Sequence, residues 1–119
     1  MKKFLAVTIV VLAALSLTSS ALASTAGQRN ALSSAQSYLS LQSFSKSGLV
    51  KQLKFEHFAS SDARWAVNHV RVSWNAQAVK SAKSYLRIQS FSRQGLVQQL
   101  EFEGFTASQA AYGVRKAYH

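Results

Sequence analysis

Residues 31–67 recur as residues 78–114 at a constant offset of 47, with 21 identities in 37 gapless pairs. Any fold for this chain must therefore be buildable twice from one short unit. The densest block is Ser37-Tyr38-Leu39 with Gln42-Ser43-Phe44-Ser45, which returns as Ser84-Tyr85-Leu86 with Gln89-Ser90-Phe91-Ser92. Gly48-Leu49-Val50 with Gln52-Leu53 and Phe55-Glu56 returns as Gly95-Leu96-Val97 with Gln99-Leu100 and Phe102-Glu103.

Within each unit the apolar spacing is helical. Ala31, Leu32, Ala35, Tyr38 and Leu39 form one stripe; Ala78, Val79, Ala82, Tyr85 and Leu86 form its copy. After a break, Ser45 and Ser92 stand where an N-cap would satisfy the free amides of a second helix. That helix carries Leu49, Val50 and Leu53, or Leu96, Val97 and Leu100. A turn at His57-Phe58 and Gly104-Phe105 ends it, and Gly104 suits a helix end because it tolerates positive φ. Ser60 or Ser61, and Thr106 or Ser108, are the expected caps of a third helix with Ala63, Ala66, Val67 and Val70, or Ala110, Gly113 and Val114. Gly48 and Gly95 are expected to let two helices come close. The chain has no Pro and only 5 Gly, which also disfavours an all-β fold.

The predicted architecture is all-α: two tandem three-helix, helix-turn-helix-like repeats, residues 24–71 and 72–119. Val72-Ser73-Trp74-Asn75 joins them without a flexible linker. The expected repeat core is Tyr38, Leu39, Phe44, Leu49, Leu53, Phe55, Phe58, Trp65 and Val67, matched by Tyr85, Leu86, Phe91, Leu96, Leu100, Phe102, Phe105, Tyr112 and Val114. These aromatics could stack nucleic-acid bases, but their helical spacing fits packing better.

Residues 1–23 read as a signal peptide: Met1-Lys2-Lys3 is positive, Phe4 to Leu15 is apolar, and Ala21-Leu22-Ala23 is a small-residue cleavage site. The alternative is an uncleaved anchor, but the apolar run ends early in Ser and Thr. Export makes the chain secreted or envelope-associated. Lipid attachment at a cysteine is not expected, because the sequence has none.

Zero Cys also excludes a disulfide scaffold, a thiolate metal site and a thiol nucleophile. Glu56, Asp62, Glu101 and Glu103 are the only acids, and they read as helix capping and surface pairing rather than a general acid/base pair. His57, His69 and His119 share no metal-site spacing, and the second copy replaces His57 by Gly104 and His69 by Lys116. No cofactor, metal or catalytic residue is expected.

The basic residues are more informative. Without Lys2 and Lys3, 12 basic and 4 acidic residues leave a charge of +8. Lys80, Lys83 and Arg87 recur at i, i+3 and i+7, whereas the first copy has neutral Ser33, Gln36 and Ser40. Arg64 and Arg71 are spaced i, i+7 and correspond to Ala111 and Tyr118. Such charges can simply be a solvated face, but three cations without acidic partners one turn away also suit a partner-binding patch. Lys80, Lys83 and Arg87 are thus the first candidates for partner binding, and Arg64 and Arg71 the second.

The duplicated Ser37-Tyr38, Phe44-Ser45, Gly48-Leu49 and Gln52-Leu53 pairs, with Ala63-Arg64-Trp65-Ala66-Val67, resemble the Ltp family of host cell-surface-exposed lipoproteins. The resemblance covers nearly the whole chain after residue 23. It implies small helix-turn-helix-like three-helix repeats, occurrence in phages, prophages and Gram-positive genomes, and superinfection exclusion: blocking the delivery of phage DNA. It implies binding and no catalysis, with a phage DNA-injection component as partner; the excess positive charge independently suits an anionic lipid or a wall polymer. The sequence departs from the family in lacking the lipid-modified Cys. Such a member is either secreted and held at the envelope by charge, tethered by its leader, or put to another use. A basic envelope module with no phage role is one alternative. A nucleic-acid-binding helical protein is another, disfavoured by the export signal.

Overall fold

The computed structural model describes residues 23–118, so nearly all of the signal-peptide segment and His119 lie outside the described residues. Six helices follow one another: α1 Ala26–Leu41, α2 Lys46–Phe55, α3 Ser60–His69, α4 Trp74–Ile88, α5 Arg93–Phe102 and α6 Ala107–Ala117. No strand is present among the described residues. None of these helices is long and apolar enough to cross a membrane.

The starts of five helices follow from hydroxyl side chains. Ser45 Oγ accepts from Gly48 N, and Ser92 Oγ from Gly95 N, both at 2.9 Å. Thr25 with Gln28 and Thr106 with Gln109 make reciprocal capping boxes, and Ser73 caps α4. Helix α3 departs from expectation. Its N-cap is Ala59, which has no oxygen to offer, and neither Ser60 nor Ser61 caps it. Asp62 in its first turn supplies negative charge to the helix end instead. At Gly48 and Gly95 the nearest neighbour of an added Cβ is the capping hydroxyl of Ser45 or Ser92, not another helix.

Each repeat has its own core. Ala31, Ala35, Leu49, Leu53, Ala63, Ala66 and Val67 are buried in the first, with Leu32, Tyr38, Leu39, Phe44, Phe58 and Trp65 packed against them. The second buries Ala78, Ala82, Leu96, Leu100, Phe105, Ala110, Val114 and Ala117, with Tyr85, Leu86, Phe91 and Tyr118 alongside. Alanine dominates where the first and third helices of a unit face one another, so their backbones approach closely.

Three expected core residues lie elsewhere. Phe55 and Phe102 are 80 % and 86 % exposed. Each sits two residues after a buried leucine, Leu53 or Leu100, and two helical positions rotate a side chain by about 200°, to the opposite face. Tyr112 is half-buried outside the core cluster, with Arg115 and Lys116 over its ring at 5.3 and 5.7 Å.

The repeats are joined by residues 70–73, and Trp74, the first residue of α4, packs on the core of the first repeat. The α1–α2 turn is held between α4 and the α5–α6 turn. Phe44 N donates to Gln77 Oε1 at 3.0 Å, and the Ser43 and Ser81 hydroxyls share a hydrogen bond of 2.7 Å. Ser45 Oγ, while capping α2, donates to the Glu103 carbonyl at 2.6 Å, and Ser47 Oγ donates to the Gly104 carbonyl at 3.2 Å. Gln77, Ser81 and Ser45 are buried, so these bonds fill polar needs that water cannot reach.

Candidate functional site

The seam between the repeats positions the residues singled out from sequence. Lys80, Lys83 and Arg87 are exposed on α4 and line one cleft of about 300 Å³ with Leu39, Ser40, Leu41, Gln42 and Ser43 of the first repeat. Their spacing on the helix keeps the three charges within reach of one ligand. A neighbouring cleft of about 430 Å³ shares Leu41, Gln42, Ser43 and Ser84 and adds Ile88, Tyr85 and Glu103. Leu41 and Ile88 are repeat equivalents, 80 % and 77 % exposed. The surface thus sets three cations beside two uncovered aliphatic side chains, an arrangement fitted to recognition by contact and charge. Sequence reasoning did not single out Leu41 and Ile88; the signal was an apolar residue retained at the same off-stripe position in both copies.

Arg64 and Arg71 do not share a helix face as their spacing suggested. Helix α3 ends at His69, so Arg71 lies in the joint and the helical relation stops before it. Arg64 lines a different cleft of about 520 Å³ with Lys46, Lys51, Lys54 and Asn68 of its own repeat and Gly104, Thr106 and Gln109 of the other. The three lysines were missed, although comparing the copies would have found two: the second has Gln98 and Glu101 where the first has Lys51 and Lys54.

A polar trio is duplicated. The Tyr38 hydroxyl donates to Glu56 and accepts from Gln52 Nε2 at 3.2 Å; the Tyr85 hydroxyl donates to Glu103 and accepts from Gln99 Nε2 at 3.2 Å. The trio ties the end of the second helix of each repeat to its first helix, a structural role. The bond to Glu56 holds the Tyr38 hydroxyl above its ordinary pKa, and burial pushes the Glu103 carboxyl above the usual glutamate range. A carboxyl raised on folding contributes stability fully present below its unfolded value and lost as pH rises through its folded value. Melting measured across that window is therefore expected to fall with rising pH, and Glu103→Gln, which can still accept from Tyr85, to flatten the response. An unchanged slope in the variant contradicts this.

Among the described residues no three His, Cys, Asp or Glu side chains gather as metal ligands. His69 stacks on Trp65 with ring centroids 4.0 Å apart, and its Nδ1–H donates to the Trp65 carbonyl at 2.7 Å. His57 is exposed in a turn.

Two units of this kind are what a known family model describes: residues 27–70 and 73–116 each match the host cell surface-exposed lipoproteins of the Ltp type. The chain belongs to the Ltp family. A solved structure of Ltp, a superinfection exclusion protein from the Streptococcus thermophilus temperate phage TP-J34, is 32 % identical with a TM-score of 0.74. The match covers 78 % of this chain and 97 % of the solved one. No curated protein sequence matches the chain. Ltp membership bears out the all-α tandem-repeat reading and associates the chain with a cell-surface family. Neither the family description nor the solved Ltp is that of an enzyme. The chain has no cysteine, so it lacks the residue that carries a lipoprotein's lipid.

Proposed function

We propose that this chain is a non-catalytic binding protein of the cell envelope that excludes superinfecting phages by obstructing delivery of their DNA. The observation that carries this reading is the match over nearly the full length of a solved superinfection exclusion protein. The seam supports it chemically. Lys80, Lys83 and Arg87 with Leu41 and Ile88 form a basic, partly apolar surface suited to an acidic protein component of the injection apparatus. Leader-directed export would place that surface where such a component arrives.

The test is expression in a phage-susceptible host, with adsorption and plaque formation scored separately. Plaquing is expected to fall by orders of magnitude while adsorption stays at its control level. Normal plaquing at verified surface expression, or adsorption lost in parallel with plaquing, contradicts the proposal.

A further inference from the structure

We propose that the cleft lined by Lys46, Lys51, Lys54 and Arg64 is a binding site for an envelope phosphodiester polymer of the glycerol phosphate type. The inference stands apart from the exclusion reading: it concerns a different face and a different ligand. The cleft is about 520 Å³, four cations line it, and no acidic residue does. All four cationic side chains are exposed.

Three of the four neutral polar side chains in the cleft are already engaged, and Asn68 is the fourth. Ser47 Oγ donates to the Gly104 carbonyl, Thr106 Oγ1 accepts from Gln109 N at 3.1 Å, and Gln109 Oε1 accepts from Thr106 N at 3.0 Å. Recognition is thus left mainly to the four charges, which favours a ligand bearing repeated full negative charges over a peptide that also needs several backbone partners. Lys46 to Lys54 spans eight helical steps, about 12 Å along α2, long enough for more than one phosphate of an extended chain and too long for a single ion. Lysine suits such a chain, because its ammonium is a mobile point charge that needs no fixed ligand plane.

Among the described residues, this row of cations is not repeated at the equivalent positions of the second copy. Arg93, Gln98, Glu101 and Ala111 occupy the equivalent positions in the second repeat, so duplication alone does not produce a row of cations there. The α5–α6 turn at Gly104 and Thr106, with Gln109 of α6, supplies the cleft's far wall.

The test uses the full-length chain on immobilised poly(glycerol phosphate), with poly-glutamate and single-stranded DNA as competing surfaces over a salt series. Lys51→Gln/Lys54→Gln/Arg64→Ala is compared with Arg93→Gln/Arg115→Gln/Lys116→Gln, which removes equal charge outside the cleft. Gln98 and Ala111 already occupy two of the three equivalent positions, so the first set is compatible with the fold. Lys54→Glu alone serves as a second probe, because Glu101 is its counterpart. The cleft variant is expected to bind about 100-fold more weakly and to lower the logarithmic salt slope by about 2, as for three lost phosphate contacts. The charge-matched control is expected to lose under about 5-fold, since distant charges contribute only through the screened field. Equal loss from the two triple variants, an unaffected Lys54→Glu protein, or stronger binding to poly-glutamate or DNA than to the glycerol phosphate polymer would overturn the proposal.

Discussion

Replacing Gly113 by valine is expected to lower the stability of the second repeat by about 3 kcal/mol, the upper end of the usual cost of overpacking. A Cβ at this position would lie 2.7 Å from both the carbonyl carbon and oxygen of Ala78 and 2.8 Å from its Cβ. Two of those atoms belong to the α4 backbone, so relief requires α4 and α6 to separate rather than one side chain to turn. Those helices pack across buried Ala78, Ala82, Ala110 and Val114, and parting them opens the core. Gly113→Ala is expected to cost less, about 1–2 kcal/mol, because alanine's better helix propensity offsets part of the clash. The first repeat has Ala66 at the equivalent position, buried without a glycine's close approach. Ala66→Gly there should cost about 1–2 kcal/mol, the propensity term plus the loss of a buried methyl. Thermal melting of the three variants checks the order; a Gly113→Val protein that melts with the wild type refutes the close approach of α4 and α6.

Gly104→Ala is expected to cost about 2–3 kcal/mol, and His57→Gly, at the matching turn, to gain up to about 1 kcal/mol. Both residues adopt positive φ, 107° at Gly104 and 70° at His57. The copies differ in what surrounds them. An added Cβ at Gly104 would lie 2.0 Å from Ser47 Oγ and 2.8 Å from Ser45 Oγ. Ser47 could turn away only by giving up its bond to the Gly104 carbonyl, and Ser45 is held by both Gly48 N and the Glu103 carbonyl. The substitution therefore strains the backbone and loosens the seam together. His57 is exposed, so it bears chiefly the backbone penalty, which glycine removes. For a chain of this size the Gly104 variant should melt roughly 10–20 °C lower. A melting temperature within a degree of wild type would show that the seam does not depend on this turn.

Much of the fold was legible because helices leave local marks. Ser45, Ser92 and Thr106 cap where their hydroxyls predicted, and Leu49, Leu53, Leu96 and Leu100 face inward as their four-residue spacing requires. Phe55 and Phe102 were assigned to the core on a general helical spacing of the aromatics, although their phase relative to Leu53 and Leu100 places them outside. The seam was not legible. Its partners, Phe44 with Gln77 and Ser43 with Ser81, lie 33 and 38 residues apart, and no periodicity within one repeat encodes them. The Lys80, Lys83 and Arg87 set was found from sequence because it stands on one face of one helix. The cleft of Lys46, Lys51, Lys54 and Arg64 was missed because its walls come from three helices and a turn.

The function proposed for this Ltp-family chain is to interrupt phage DNA delivery through the cationic seam surface. It is tested most directly by quantifying phage DNA inside host cells shortly after synchronised adsorption. Cells displaying the wild-type chain are expected to adsorb phage normally yet contain little phage DNA, and cells displaying Lys80→Glu/Lys83→Glu/Arg87→Glu at equal level to admit it as control cells do. Unimpeded DNA delivery in cells displaying the wild-type chain, or an undiminished block by the charge-reversed variant, would contradict the account.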